Sequence, residues 1–251
     1  MPDPSPEPRP TRPALTALTY NTGLGLATAE GLAGALLAEG ADIVGLQELD
    51  ARLAHLGELL REVYPHQALN PVGIAGKGIL SRFPLTDVNL LELVPGRPDL
   101  RATAETAAGP VEVIVAHPPP FRVAPRQRPE NALARQQVRT LAAAASAGPP
   151  AILLGDFNRV RGQETHRVLA AAGLVDAFAE AGRGWGGTLP TRHFGWAKRG
   201  HRLGAVPLPP LLRVDFIWHT RHFETLDAWT GPHAGSDHLP VVARLRWREE
   251  E

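Results

Sequence analysis

The hydrophobic and polar positions divide the chain into short apolar runs and longer stretches with helical spacing. Short alternating or continuous apolar runs predict strands, whereas apolar residues three or four positions apart predict helices. On this basis strands are predicted at residues 14–21, 41–48, 76–93 (one or two strands around a turn), 111–117, 151–158, 211–219 and 239–247. Helices are predicted at residues 23–40, 53–63, 130–148 and 165–178.

The order of these elements predicts the fold class. Helices do not follow every strand, so the pattern disfavours a doubly wound parallel sheet and favours an α+β protein. We expect a four-layered α/β sandwich, in which two mixed β-sheets pack face to face with helices on the outside. The sequence has no clean linker, so residues 14–248 are expected to form a single domain. Residues 1–13 contain six prolines and are predicted to be a disordered tail.

The amino-acid composition limits the chemistry and the binding partners that are expected of the protein. Twenty-six Lys+Arg balance 26 Asp+Glu over 251 residues, so no global field directs the protein towards polyanions, although a local basic face remains compatible. The absence of cysteine from the sequence excludes disulfides, thiolate catalysis and cysteine-based zinc sites. No run approaches the roughly 18 apolar residues of a membrane span, and the first residues lack the apolar core of a signal peptide. We therefore expect a cytoplasmic protein without a membrane span, and a monomer.

The most informative polar residues lie at or near the ends of the predicted strands. They are Asn21, Gln47, Glu48, His117, Asp156, Asn158, Asp215, Asp237 and His238. Catalytic groups commonly gather on loops at one rim of a scaffold, and several carboxylates in one cleft repel each other unless a cation offsets them. A set rich in oxygen atoms suits a hard ion such as Mg²⁺ or Mn²⁺, which also binds phosphate oxygens. The pattern therefore predicts metal-assisted attack of water on phosphorus.

The ordered motifs "TYN", "GLQE", "GILSRFP", "AHP", "GDFN", "RVDFI" and "GSDHLPV" resemble the endonuclease/exonuclease/phosphatase superfamily. Its members include DNase I, exonuclease III-type AP endonucleases, inositol polyphosphate 5-phosphatases and neutral sphingomyelinases. The resemblance extends from about residue 18 to residue 245. It implies a DNase I-like fold and Glu48 as the main metal ligand, with Asn21 beside it. Asp237 would lie at the metal or directly behind its ligands.

The resemblance also implies catalytic roles. Asp156 would activate or orient the attacking water, and Asn158 would contact the phosphate. His238 would hydrogen-bond the scissile phosphate and support the developing charge. Asp215 would hold one imidazole in the correct tautomer, and His117 would be the second imidazole, near the phosphate or the leaving group.

Within the superfamily, "AHPPP" and "PLLRVDFIW" resemble a bacterial branch that includes the YafD-like and VanJ-like proteins. VanJ-like relatives are associated with polyprenyl pyrophosphate and typically carry membrane helices, and no such run occurs in these 251 residues. The "TPWS"-like stretch that often follows "GDFN" in that branch is replaced here by Arg-Val-Arg-Gly at residues 159–162. These departures concern the substrate rather than the metal chemistry.

A long segment, residues 182–210, has little periodicity and many Gly, Pro and basic residues. A loop of this length in a compact domain is typically functional or disordered. Arg183, Arg192 and Trp196 are candidate substrate contacts there, because rings interleaved with cations can stack a base while the cations hold phosphate. A solvated charged segment is the alternative interpretation.

The other candidates have simpler interpretations as well. Glu48 could be a solvated rim charge, and Asp156 with Asn158 could form an ordinary turn. His117 could pack against the three prolines that follow it. The ordered set as a whole favours the functional interpretation over these.

The sequence thus predicts a Mg²⁺- or Mn²⁺-dependent hydrolase that cleaves a phosphodiester or related phosphate ester, such as a nuclease, by in-line attack of water. The substrate would be a nucleic acid or a small or lipid-linked phosphate. One alternative is a phosphatase acting on a lipid-linked or small-molecule (pyro)phosphate. Another is a non-catalytic relative that binds nucleic acid or a protein partner.

Overall fold

The computed structural model describes residues 13–120, 128–192 and 206–248. The strands within these residues are β1 (Ala14–Asn21), β2 (Ile43–Gln47), β3 (His66–Asn70), β4 (Lys77–Ser81), β5 (Leu85–Leu91), β6 (Asp99–Thr106), β7 (Gly109–Ala116), β8 (Ala151–Asp156), β9 (Val175–Asp176), β10 (Asp215–His219), β11 (Phe223–Thr230) and β12 (Val241–Trp247). The helices are α1 (Ala29–Glu39), α2 (Leu56–Leu59), α3 (Arg128–Ala147), α4 (Glu164–Ala171) and α5 (Ala177–Ala181).

The strands form two mixed sheets of six, ordered β11-β12-β1-β2-β4-β3 and β5-β6-β7-β8-β10-β9. In each sheet the central pair is parallel, β1 with β2 and β7 with β8. Parallel neighbours need a long crossover, and α1 and α3 are the helices that lie between the two members of each pair. As a result, the carboxyl ends of the two strands in each parallel pair lie at the same edge of their sheet.

Apolar side chains fill three layers between and outside the sheets. On β8, Ile152 and Leu154 point into the layer between the two sheets, whereas Leu153 packs against Leu141 of α3. This alternation follows from the two-residue period of a strand. The helix α1 covers the first sheet in the same way, through Leu32 and its neighbours. The predicted four-layered sandwich is therefore confirmed.

The predicted helix at residues 53–63 is shortened to the four residues Leu56–Leu59. The chain forms a 3₁₀ turn at Ala51–Leu53 and then the four-residue α2. In a longer helix, Gly57 O would accept a hydrogen bond from a backbone N–H one turn later. Here Gln67 Nε2 donates to this oxygen instead, at 2.8 Å. Gln67 Nε2 also donates to Tyr64 O at 2.8 Å, so a side-chain amide takes the place of the helical hydrogen bonds.

The predicted helix at residues 23–40 begins later than expected. Thr28 caps α1 by accepting a hydrogen bond from the Gly31 N–H at 3.1 Å, and Gly40 ends it with φ 61°. The residues before Thr28 form turns that reach the site described below. β3, β6, β9 and β11 are strands that the apolar pattern did not predict.

Several sequence expectations fall outside the described residues. The predicted tail, residues 1–13, does so apart from Pro13, and so do residues 193–205 of the long segment. Among the helices that are described, none has the length and apolar character needed to cross a membrane.

Candidate active site

The predicted polar residues converge at one rim of the sandwich. β1 and β2 end side by side, with Asn21 paired to Gln47. In the other sheet, Asp215 at the start of β10 pairs with Asp156 at the end of β8. The rim thus collects the predicted site residues of both sheets: Asn21, Glu48, His117, Asp156, Asn158, Asp215, Asp237 and His238.

Asp156 lies at the centre of this cluster. Its Oδ2 accepts a hydrogen bond from Asn21 Nδ2 at 3.0 Å across the two sheets, and its Oδ1 accepts one from the Asn158 N–H at 2.8 Å. Both imidazoles approach the same carboxylate, since His117 Nε2 and His238 Nε2 lie 3.6 and 3.8 Å from Asp156 Oδ2. The carboxylate is therefore oriented from several directions by donors.

Two site residues occupy uncommon backbone conformations directly after strands. Glu48 follows β2 with φ 55° and Asn158 follows β8 closely with φ 52°, in the left-handed region that non-glycine residues rarely adopt. Asn158 Nδ2 donates to Pro118 O at 3.0 Å, and Glu48 Oε1 lies 3.8 Å from His117 Nε2. Such conformations cluster at binding sites, where the surrounding structure holds them.

His238 and Asp215 form a buried dyad. His238 Nδ1 lies 2.8 Å from Asp215 Oδ2, so the ring donates through Nδ1 and presents Nε2 towards Asp156. Burial alone would lower the pKa of His238, but the charge and hydrogen bond of Asp215 outweigh it and raise that pKa to about 10. Ser236 Oγ accepts from the His238 N–H at 3.1 Å and fixes the backbone. The Asp215 carboxylate therefore favours the charged form of the imidazole.

The carboxylates of the cluster fit a divalent cation. Burial raises the pKa of Glu48 and of Asp237, and burial together with the charge of Asp215 raises the pKa of Asp156 to about 7. A cation would offset the charges that burial disfavours. Possible ligand atoms of Asp156, Asp215 and His238 lie within 4.8 Å of one another. However, Asp215 and His238 already bond to each other, so Glu48 and Asp237 are better suited to hold the ion.

The turn after β1 passes very close to Asp237. Gly23 has φ 73°, and a Cβ there would lie 2.8 Å from Ser236 Oγ and 2.9 Å from Asp237 Oδ1, so any other residue at this position would be strained. The Gly23 N–H donates to Asn21 Oδ1 at 3.0 Å, which directs Asn21 Nδ2 towards Asp156. Asn21 thus presents a donor to the carboxylates, and its role as a metal ligand stays a prediction.

Lys77 places a buried positive charge behind the cluster. Its side chain on β4 is fully buried, and burial lowers the pKa of Lys77 to about 8. The charges of Asp99, Glu48 and Asp156 oppose this shift, so the ammonium group lies near the site carboxylates. No sequence motif predicted that Lys77 lies at the site. The available signal was its position two residues before Ile79, on the inward side of β4.

Asp99 is a second buried residue that the sequence analysis missed. Its carboxylate accepts hydrogen bonds from Gln137 Nε2 at 2.8 and 2.9 Å and from the His117 N–H at 3.3 Å. Burial raises the pKa of Asp99 to about 6. Asp99 therefore anchors the backbone that carries His117, and no short motif around it indicated this role.

The site opens into a cavity of about 580 Å³. Its polar lining consists of Glu48, Asn158, Asp237, His238 and Arg192. The rest of the lining is apolar: Leu24, Ile74, Pro120, Leu189, Pro190, Leu208 and Leu212. The cavity thus combines charged groups suited to phosphate with apolar walls suited to an attached organic group.

The predicted substrate contacts have different positions. Arg192 lines the cavity, with Nη2 3.2 Å from His233 Nε2. Arg183 instead pairs with Asp227, and its guanidinium carbon lies 5.6 Å from the centroid of the Trp229 ring. The structure thus gives Arg183 partners on β11 instead of a place in the cavity lining. Trp196 lies outside the described residues.

Known proteins share this fold. An endonuclease/exonuclease/phosphatase from Beutenbergia cavernae DSM 12333 is 23% identical with a TM-score of 0.72, covering 94% of this chain and 72% of that one. Sphingomyelinase C from Streptomyces griseocarneus is 19% identical with a TM-score of 0.64, covering 92% and 99%. The mannosyl-6-phosphatase Bt3783 from Bacteroides thetaiotaomicron VPI-5482 is 16% identical with a TM-score of 0.64, covering 93% and 100%.

None of the curated proteins compared with the chain matches it. The family model described as "Endonuclease/Exonuclease/phosphatase family" matches residues 18–238, a range that includes all the residues of the cluster. The chain therefore belongs to the endonuclease/exonuclease/phosphatase family.

Proposed function

We propose that the protein is a divalent-metal-dependent phosphoesterase that hydrolyses a phosphodiester or related phosphate ester by in-line attack of water. Members of the family are hydrolases that act on phosphate esters. The observation that carries the proposal is the convergence of Asp156 and the His238–Asp215 dyad on a cavity lined by Glu48 and Asp237. The site then contains a proton acceptor (Asp156), a cation that can bind phosphate (His238) and two carboxylates that can bind a metal (Glu48 and Asp237).

Glu48 and Asp237 would hold Mg²⁺ or Mn²⁺, with Asn21 beside them. When bound, such an ion offsets phosphate charge and lowers the pKa of a water that it binds. Asp156 would orient the attacking water and accept its proton, because its carboxylate is fixed by the donors described above. Asn158 would contact the phosphate.

The two histidines would have different tasks. His238, kept charged by Asp215, would donate from Nε2 to a phosphate oxygen as negative charge develops. Burial lowers the pKa of His117 well below its usual value, so this ring is neutral at pH 7. His117 would therefore provide a hydrogen bond near the phosphate or the leaving group, without a charge.

The apolar walls of the cavity favour a second candidate, a phosphatase acting on a lipid-linked or small-molecule (pyro)phosphate. The "AHPPP" motif, which resembles the YafD-like and VanJ-like branch, supports the same candidate. The sphingomyelinase and the sugar phosphatase with the same fold are compatible with it. A non-catalytic role is the weaker interpretation, because the predicted residues converge on one cavity.

The proposal is tested with bis-p-nitrophenyl phosphate, a diester, and p-nitrophenyl phosphate, a monoester, each assayed with Mg²⁺, Mn²⁺ or EDTA. We expect turnover of at least one ester with metal and none in EDTA. Glu48→Gln should raise the metal concentration needed for half-maximal rate, whereas His55→Ala, at an exposed position, should not. Full activity in EDTA, or no metal-dependent turnover of any phosphate ester, would reject the proposal.

A further inference from the structure

A second cavity, of about 490 Å³, lies beside the candidate active site. Leu212 lines both cavities. The loop after β8 also connects them, since Asn158 lines the active-site cavity while Val160 and Arg161 line the second one. A substrate whose phosphate contacts Asn158 would therefore reach the second cavity across Leu212.

The boundary between the cavities is a short backbone ladder. The N–H groups of Thr188 and Leu189 donate to Leu212 O at 2.8 and 2.9 Å, and the Leu212 N–H donates to Leu189 O at 2.9 Å. Thr191, in the same segment, donates from its N–H to Asp237 O at 2.7 Å. Because backbone hydrogen bonds fix this segment to the active-site loop, the two cavities hold a defined relative position.

One side of the second cavity is a fixed aromatic surface. The Arg213 guanidinium carbon lies 5.0 Å from the centroid of the Phe178 ring, and the same guanidinium donates to both oxygens of Asp176 at 2.7 and 2.8 Å. The chain passes close over this ring, since a Cβ at Gly182 or Gly186 would lie 2.2 or 2.5 Å from it. These contacts preform the cavity before any ligand binds.

The rim of the second cavity carries an exposed ring and an available cation. Trp185 is 77% exposed, and its Nε1 donates to the main-chain oxygen of Leu211, which is itself 62% exposed. Large apolar side chains exposed together mark interaction sites. In the portion of the chain that the structure describes, Arg161 forms no ion pair. A ring and a guanidinium on one rim are complementary to a planar group joined to an anion.

We infer that this cavity binds a nucleoside unit joined to the scissile phosphate, as in an oligonucleotide strand. The base would stack on Trp185, and Arg161 would bind a flanking phosphate. An acyl or prenyl chain fits less well, because Arg161 and Arg213 place two guanidinium groups in the lining. The inference rests on the proposed phosphoesterase function and identifies the part of the substrate that the protein recognises.

The inference is tested by comparing two diesters that differ only in the nucleoside, thymidine 5′-(p-nitrophenyl phosphate) and methyl p-nitrophenyl phosphate. Trp185→Ala should lower kcat/KM for the nucleoside diester by about tenfold and leave the methyl diester unchanged. Trp185→Phe should restore most of the loss. Arg221→Ala, in the turn at the opposite end of β10, is the matched control and should change neither. Equal losses on both diesters, or none, would overturn the inference while leaving the proposed function in place.

Absence of hydrolysis of both diesters would count against the proposed function. In that case a binding measurement still tests the inference about the second cavity. Fluorescence anisotropy of a labelled hexathymidylate, without metal, should show saturable binding that Arg161→Ala weakens about tenfold and Arg221→Ala does not. No binding of hexathymidylate, or binding of phosphatidylglycerol vesicles through Trp185 in its place, would overturn it.

Discussion

The hydrogen bond between Asp215 and His238, at 2.8 Å, determines both the direction and the charge of the imidazole. Asp215→Asn removes the carboxylate that raises the pKa of His238, and the amide can hold the wrong tautomer. We expect kcat on bis-p-nitrophenyl phosphate to fall by about 10²- to 10⁴-fold. The His238 pKa, measured by NMR titration, should fall in the same variant.

Asp227→Asn is the matched control for this substitution, because Asp227 pairs with Arg183 outside the cavity. It should leave kcat unchanged. An Asp215→Asn variant with wild-type kcat and an unchanged His238 titration would show that the dyad has no part in turnover.

Gly23 is constrained by both its conformation and its neighbours. Gly23→Ala places a side chain at φ 73° and against Ser236 and Asp237, so it should lower the free energy of unfolding by about 1–2 kcal/mol and weaken metal activation. Gly34→Ala is the control, because a Cβ there meets nothing within 4 Å on α1 and should stabilise the protein by up to about 1 kcal/mol. Urea unfolding of both variants measures the difference, and equal effects would contradict the close approach at Gly23.

At the scale of elements, Asp176 connects β9, α5 and the segment before β10. It caps α5 by accepting from the Phe178 and Ala179 N–H groups, and it pairs with Arg213. Burial alone would raise the pKa of Asp176, but hydrogen bonds from His166 and Arg213 outweigh it and lower that pKa to about 2. Asp176 therefore stabilises the fold when it is charged.

The lowered pKa of Asp176 determines how its contribution to the free energy of unfolding depends on pH. Because the folded pKa lies below the unfolded value of about 3.9, the stabilisation is complete above that value and is lost as pH falls towards 2. It amounts to roughly 2–3 kcal/mol at pH 6, and about half should be lost at pH 3. Urea unfolding of wild type and Asp176→Asn at both pH values tests this: a constant difference between them would contradict the assignment.

The strands with strong apolar patterns could be predicted from the sequence, and the others could not, for identifiable reasons. β8 is continuous and apolar because both faces are buried, so its pattern was unambiguous. β6 alternates Ala with Thr and charged residues, which gives little apolar signal. β11 contains a register shift between Thr225 and Asp227, which breaks the period. Such features depend on pairing with distant strands.

The residues of the candidate site also divide into those that the sequence predicted and those that it did not. Its rim residues were predicted because they follow strong strands in recognisable motifs, as Asp156 does in "GDFN". Lys77 and Asp99 were missed because each becomes part of the site only through its burial in the folded chain. The only local signal is a charged residue at a strand position that faces the interior. This signal does not identify the residue that the charge contacts.

At the scale of the whole molecule, the balanced charge limits long-range attraction of nucleic acid. Twenty-six cationic and 26 anionic side chains leave recognition to local cations such as Arg161 and Arg192. For two neutralised phosphates of a single strand, the slope of log K against log salt should be about −1.4. Anisotropy titrations of hexathymidylate at several salt concentrations measure it. A slope steeper than about −4 would contradict recognition by so few cations.

The central claim is that the rim cluster centred on Asp156 hydrolyses phosphate esters. Its most direct test is kcat of wild type and Asp156→Asn on bis-p-nitrophenyl phosphate with saturating Mn²⁺. The variant keeps the size of the side chain but loses the charge and basicity that act on the water. We predict a decrease in kcat of about 10²- to 10⁴-fold with the unfolding transition retained. A variant within twofold of wild type would contradict the claim.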